Sequence, residues 1–270
     1  MTAFWSRTPT RPEPAEPGAV ALSAEAVRVR RGERLVLDGV DLDLRFGEVL
    51  ALVGRNGAGK TTLVGALSGD LDPDAGSVVL AGKPYRSWST RESSLRRAVL
   101  PQRTTVTFPF TVRDVVAMAR APWGGLEDDD AIVADALAAA DVRELAARTF
   151  PSLSGGEAAR VAFARLLAQR TGVVLLDEPT AAMDPQHQER TFTVLRDLAR
   201  AGSAVLVVLH DLNLAAAHAD RVAVLANGRM AAIGAPQQVL TDAVLTAAYE
   251  HPMEVVGHPR TGAPVVLPRR

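Results

Sequence analysis

Val49-Leu50-Ala51-Leu52-Val53-Gly54-Arg55-Asn56-Gly57-Ala58-Gly59-Lys60-Thr61-Thr62 is the stretch on which the reading of this chain turns. Five apolar residues in a row predict a strand covered on both faces, as at the centre of a parallel sheet. A glycine-rich turn follows, and residues 60–68 then read as a helix. Residues 54–61 satisfy G-x4-G-K-[ST] in the strand–turn–helix setting that this pattern requires. Glycines there let consecutive backbone N–H groups converge on phosphate oxygens, and the helix start adds partial positive charge. Lys60 is placed to reach the β- and γ-phosphates of a nucleotide, Thr61 to offer its hydroxyl to Mg²⁺, and Thr62 to extend the cradle.

Downstream, two further strand ends carry polar chemistry. Val173-Val174-Leu175-Leu176-Asp177-Glu178 is an apolar strand closing on two acids, and the carboxyl ends of strands are where α/β sheets hold ligands. Asp177 suits the shell of a magnesium ion, and Glu178 is placed to orient or deprotonate an attacking water. His210 repeats that position after the apolar run 204–209, where either a structural role or a γ-phosphate contact fits. His187, His218, His251 and His258 show no metal-ligand spacing. Ser154-Gly155-Gly156-Glu157 is a capping box before a helical run. Its two glycines weaken the helix start by about 0.5–1 kcal/mol each, while baring N–H groups to an anion. A second anion-binding helix start is therefore expected.

Around these motifs the pattern predicts a mostly parallel α/β core. An antiparallel β portion is expected near the amino terminus, and a helical insertion between about residues 103 and 170. Within the insertion, residues 131–147 read as one helix begun by the acidic run 127–130. Asn227-Gly228 predicts a hairpin between strands 221–226 and 229–233. Residues 1–21, with Pro9, Pro12, Pro14 and Pro17, read as a disordered lead-in, leaving 22–270 as a single domain.

Composition narrows the function classes. Among 270 residues, 30 basic side chains stand against 31 acidic ones, so nothing draws the chain as a whole to nucleic acid. The absence of cysteine excludes disulfides, thiolate catalysis and thiolate metal sites. No stretch approaches the roughly 20 apolar residues that span a bilayer, so a membrane role is expected to run through a partner.

Taken in order, these motifs resemble the ABC ATPase family over nearly everything after residue 22. Leu153-Ser154-Gly155-Gly156-Glu157 is similar to the family signature, Gln102 to the glutamine of the Q-loop, and His210 to the switch histidine. Residues 180–184 resemble the D-loop, ending in Asp184, with Met183 where leucine is usual. The resemblance implies a RecA-like P-loop NTPase core that binds ATP and Mg²⁺, with Gln102 reaching the metal and water. It also implies a head-to-tail dimer, in which the signature of one copy caps ATP held by residues 54–62 of the other. Membrane-spanning permease subunits, and indirectly a substrate-binding protein, are the implied partners, at the cytoplasmic face of a bacterial membrane. Where the family often stacks an aromatic residue on adenine, the alignment puts Arg31, and arginine can also stack on a flat ring.

Residues 97–102, Phe108-Pro109-Phe110-Thr111-Val112 and the tail beyond Gly234 resemble the haem-import ATPases of bacterial type II importers. Iron-siderophore and cobalamin importers carry related subunits, and a non-transport ABC ATPase is the more distant alternative. Phe108 and Phe110 read either as a permease contact or as helical-domain core.

Overall fold

Val49–Val53, β3, is buried along its whole length, and the sheet grows outward from it. The computed structural model describes residues 12, 16–102, 104, 106, 108–124 and 128–269. Most of the proline-rich lead-in, together with Arg103 and Glu127 at two expected boundaries, lies outside the described residues. Two long strands come first, β1 (Val20–Arg31) and β2 (Arg34–Arg45). β1 begins ahead of the expected Leu22, because Gly18 donates to the Phe46 carbonyl and Phe46 to that of Ala19. After β3 come α1 (Lys60–Ser68), β4 (Ala75–Leu80), β5 (Lys83–Pro84), α2 (Thr90–Ser94) and β6 (Arg97–Leu100). Then follow α3 (Val112–Ala117), α4 (Asp129–Ala139), α5 (Gly155–Ala168), β7 (Val173–Asp177), α6 (Pro185–Arg200) and β8 (Ala204–Val208). The chain closes with α7 (Leu212–His218), β9 (Arg221–Ala226), β10 (Arg229–Gly234), α8 (Pro236–Val239), α9 (Asp242–Tyr249), β11 (Met253–Gly257) and β12 (Pro264–Pro268).

Among the described residues the core sheet has the order β10-β9-β3-β8-β7-β6. It is parallel from β9 to β6, and β10 is added antiparallel through the Asn227-Gly228 turn. Both turn residues have positive φ, 49° and 73°, as a type I′ hairpin requires. β3, β7 and β8 are buried at every position, the signature of strands covered on both faces. One face packs against the antiparallel sheet β2-β1-β4-β5 and α1, the other against the helical insertion and α6.

The insertion differs from the expectation of one helix over 131–147. α4 stops at Ala139, where Asp141 turns to φ 58°, and a short 3₁₀ turn at Arg143–Leu145 follows. Left-handed backbone cannot continue a right-handed helix. The acidic residues do start α4: Asp128 caps it by accepting from the Ala131 N–H at 3.1 Å. Phe108 and Phe110 are not helical-domain core. They stand 68% and 40% exposed, with ring centroids 6.1 Å apart.

Candidate functional site

Register brings the polar strand ends together. Leu52 pairs with Val208, and Val208 with Asp177, so β3, β8 and β7 finish at one edge of the sheet. β3 runs into Gly54, β7 into Glu178, and β8 into Leu209 and His210. A cleft of about 390 Å³ opens at that edge. It is lined by Asn56, Gly57, Gly59, Lys60, Thr61, Thr62, Gln102, Glu178 and His210, together with Arg34 and Val36 of β2.

The glycine turn is sterically enforced at its two ends. Gly54 has φ 150°, and a Cβ on it would sit 2.1 Å from the Leu225 carbonyl oxygen. Gly59, the residue before α1, has φ 108°, and its Cβ would meet the Leu37 side chain at 2.8 Å. Lys60 lies buried across this turn, its Nζ donating to the carbonyls of Gly54 at 2.7 Å and Arg55 at 3.1 Å. Burial pulls the Lys60 pKa down, while the carboxylates of Glu178 and Asp177 pull it back up.

Asp177 is 2% exposed, and its Oδ1 is a buried oxygen without a hydrogen-bond partner. Desolvation raises its pKa; the Thr61 hydroxyl bonded to it opposes that rise, and the Glu178 charge adds to it. An unpaired buried carboxylate oxygen is costly unless something completes its shell. Thr61 and Asp177 thus form a hard-oxygen pair whose chemistry fits a divalent cation. Among the described residues, no group of three or more His, Cys, Asp or Glu side chains is assembled for a metal. Any ion held here would therefore draw its remaining ligands from phosphate and water, as Mg²⁺ does.

Glu178 sits beside this pair in a backbone conformation, φ 55°, that a non-glycine residue adopts only under constraint. Its N–H donates to the Val208 carbonyl at 3.2 Å. Gln102 Nε2 donates to its Oε2 at 2.8 Å, and His210 Nε2 contacts its Oε1. Three segments far apart in sequence, behind β6, β7 and β8, are joined through one carboxylate.

The other expected residues fall elsewhere. Arg31 is not among the lining residues, although it pairs directly with Arg34 across the β1–β2 turn; Arg34 and Val36, two apart on one face of β2, reach the cleft. Ser154 caps α5 in a complete capping box, donating its N–H to Glu157 Oε2 at 2.7 Å, and Arg148 pairs with Glu157 at 2.9 Å. None of residues 154–157 lines the 390 Å³ cleft of its own chain. Gly155 instead borders a neighbouring cleft with Gln102, Glu178 and Ala182. A Cβ on Gly155 would meet open space, whereas one on Gly156 would come within 3.1 Å of the Ala182 carbonyl. Only the second glycine lies tight against a neighbouring segment. Asp184 caps α6 by accepting from the His187 N–H at 2.9 Å, and it too stands away from the cleft. Gln188, which the sequence did not single out, donates to the carbonyls of Thr180 and Met183 at 3.3 and 3.2 Å and holds the intervening turn.

Comparison with known proteins places this geometry. The ABC transporter family model matches residues 37–181. The hemin import ATP-binding protein HmuV of Streptomyces coelicolor is 55% identical over 97% of this chain and 95% of its own length. The protein of the same name from Thermobifida fusca is 55% identical over 97% of this chain and 93% of its own. That of Pseudomonas aeruginosa is 47% identical over 92% of this chain and its full length. Among solved structures, a metal-chelate type ABC transporter in an inward-facing conformation superposes with a TM-score of 0.78. It is 27% identical, over 93% of this chain and 98% of that one.

Proposed function

This chain belongs to the ABC transporter family, and from that premise we propose that it is the ATP-hydrolysing subunit that energises import of haem through a partner membrane permease. The observation that carries the ATPase reading is the meeting of Lys60, Thr61, Asp177, Glu178, Gln102 and His210 at one sheet edge. The haem assignment rests on likeness to the hemin import proteins over almost the whole chain. No described helix is long and apolar enough to cross a membrane, and in this reading the permease provides the transport path.

In this reading the N–H groups of residues 54–62 and the start of α1 receive the triphosphate, and Lys60 turns from the Gly54 and Arg55 carbonyls to its terminal oxygens. Thr61 and Asp177, with Gln102, would hold Mg²⁺, which would supply positive charge against the phosphates. Glu178 accepts a proton from the attacking water. Its two oxygens offer about four lone-pair sites, so the bonds from Gln102 and His210 orient the carboxylate and leave acceptor capacity for that water. His210 then stands beside the phosphate that leaves. General-base assistance of this kind contributes about 10²–10⁴-fold.

The signature does not reach the cleft of its own chain, and this supports a head-to-tail dimer. Ser154, Gly155 and Gly156 of one copy would close over ATP on the other, aided by the turn ending at Asp184. Arg34 and Val36 take the base side in place of Arg31. The exposed Phe108–Phe110 pair, six residues beyond Gln102, is the apolar surface offered to the permease at the cytoplasmic face of the membrane. The deciding experiment reconstitutes the chain with its permease and measures ATP turnover with binding protein loaded with haem, siderophore or cobalamin. Selective stimulation by the haem-loaded form is expected; turnover indifferent to all three would remove the haem assignment and leave the ATPase.

A further inference from the structure

The segment after β10 supplies no residue to the phosphate cleft, yet it grips the turn that forms it. α9 ends at Tyr249, and its C-cap is Glu250, with φ 53° and ψ 35°. A left-handed C-cap is ordinarily glycine, because a Cβ there meets steric strain. Here a glutamate holds the position, and its carboxylate forms an ion pair with the guanidinium of Arg55. Next to it the Tyr249 hydroxyl is buried facing the Gly54 backbone, and burial pushes its pKa up to about 12. Two consecutive residues of the C-terminal segment thus meet the first two residues of the phosphate-binding turn.

The rest of the segment is anchored firmly enough to transmit that contact. The N–H groups of Met253 and Val255 in β11 donate to Thr246 and Asp242 of α9, at 3.0 and 2.8 Å. On β12, Val266 donates its N–H to Asn213 Oδ1 at 2.8 Å and accepts from Asn213 Nδ2 at 3.4 Å. Asn213 lies in the first turn of α7, three residues after His210. The Arg55 carbonyl, for its part, accepts from Lys60 Nζ at 3.1 Å and from the Ala58 N–H at 3.2 Å. A displacement of Arg55 therefore moves both the lysine and the turn.

We propose that Glu250 is a positioning residue for nucleotide binding: it holds Arg55, and through the Arg55 backbone sets the turn and Lys60 in the arrangement that receives a triphosphate. This rests on the ATP reading of the cleft. Replacing Glu250 by glycine tests it without endangering the fold, since glycine accepts the left-handed backbone while the side chain and its carboxylate are removed. ATP binding to the full chain, its thermal midpoint, and kcat and KM in the reconstituted transporter are compared for wild type, Glu250→Gly, Glu250→Asp, Arg55→Ala and the glycine–alanine double variant. Glu250→Gly should raise the Kd and KM for ATP about two- to five-fold, the range open to a half-exposed ion pair. Its kcat and thermal midpoint should not fall, Glu250→Asp should recover part of the affinity, and the double variant should match Arg55→Ala alone. Unchanged affinity in Glu250→Gly, or its full penalty persisting without Arg55, would overturn the proposal. Failure of the wild-type chain to bind ATP would instead strike the reading of the cleft itself.

Discussion

Asp177→Asn should stabilise the nucleotide-free protein while removing its activity. In the native chain a carboxylate 2% exposed has the Thr61 hydroxyl beside it and an oxygen, Oδ1, buried with no partner. A buried unsatisfied polar group costs about 1–3 kcal/mol, and more when charged. The amide keeps an oxygen for Thr61 and replaces the unpaired charged oxygen with an unpaired neutral NH₂. Against that gain stands the loss of one of two carboxylates that support buried Lys60, Glu178 being the other. The net expected is about 1 kcal/mol, or roughly 2–4 °C in Tm for a domain of this size. The sign of its pH dependence follows from desolvation, which raises the folded-state pKa of Asp177. Below the unfolded carboxylate pKa, Asp177 is neutral in both states and costs nothing extra. As pH rises from there through the folded value, the folded state must first keep a proton that the unfolded chain gives up and then bury the charge, so the penalty builds up and is complete above the folded value. The advantage of the asparagine variant should therefore grow from acid toward neutral pH. Thermal unfolding without nucleotide or metal, across pH 4–8, reads this directly, and Mg²⁺-dependent turnover should fall at least about 100-fold, as when an essential catalytic group is lost. A lower Tm in the variant, or a difference flat with pH, would refute the reasoning.

Three further outcomes follow from the same geometry. Glu178→Gln should keep ATP affinity and lose about 10²–10⁴-fold in turnover; single-turnover hydrolysis at the wild-type rate would take Glu178 out of its role as base. Gly155→Ala, whose Cβ meets open space, should raise stability by up to about 1 kcal/mol, while Gly156→Ala pushes on the Ala182 carbonyl and should gain nothing in Tm. Equal thermal midpoints for the two would remove the steric distinction. Ser154→Arg should leave the monomer folded but prevent ATP-driven association in light scattering, and association that persists would count against closure in trans.

How far the fold could be read from the sequence depended on whether a segment's structure is decided locally. β3, β7 and β8 announce themselves because strands buried on both faces need an unbroken apolar run, and that requirement is visible residue by residue. Asn227-Gly228 is legible for a similar reason: both positions need positive φ, and few other dipeptides supply it. The helix expected over 131–147 failed where the pattern gave no warning. Alanine-rich sequence favours helix throughout, and the reversal at Asp141 goes with Ala140, Val142 and Leu145 all being buried in the core around it.

The site divides along the same line. Lys60, Thr61, Asp177 and Glu178 follow from chain order, since each stands at the end of a recognisable strand or the start of a helix. What joins them does not. That Gln102 and His210 both bond one carboxylate depends on strand order β3-β8-β7-β6, and no spacing in the sequence encodes that order. Arg31 and Arg34 stand opposite each other across the β1–β2 turn, and that only Arg34 lines the cleft is visible in the folded chain alone. Gly156 also has a packing neighbour that the sequence does not show: a Cβ there would come within 3.1 Å of the Ala182 carbonyl, a contact between segments 26 residues apart. The candidate site groups are thus properties of single segments, while the contacts that aim them are properties of the sheet. Residues such as Gln188 and Glu250, which touch no substrate atom in any reading, become visible only when the neighbours they hold are in place.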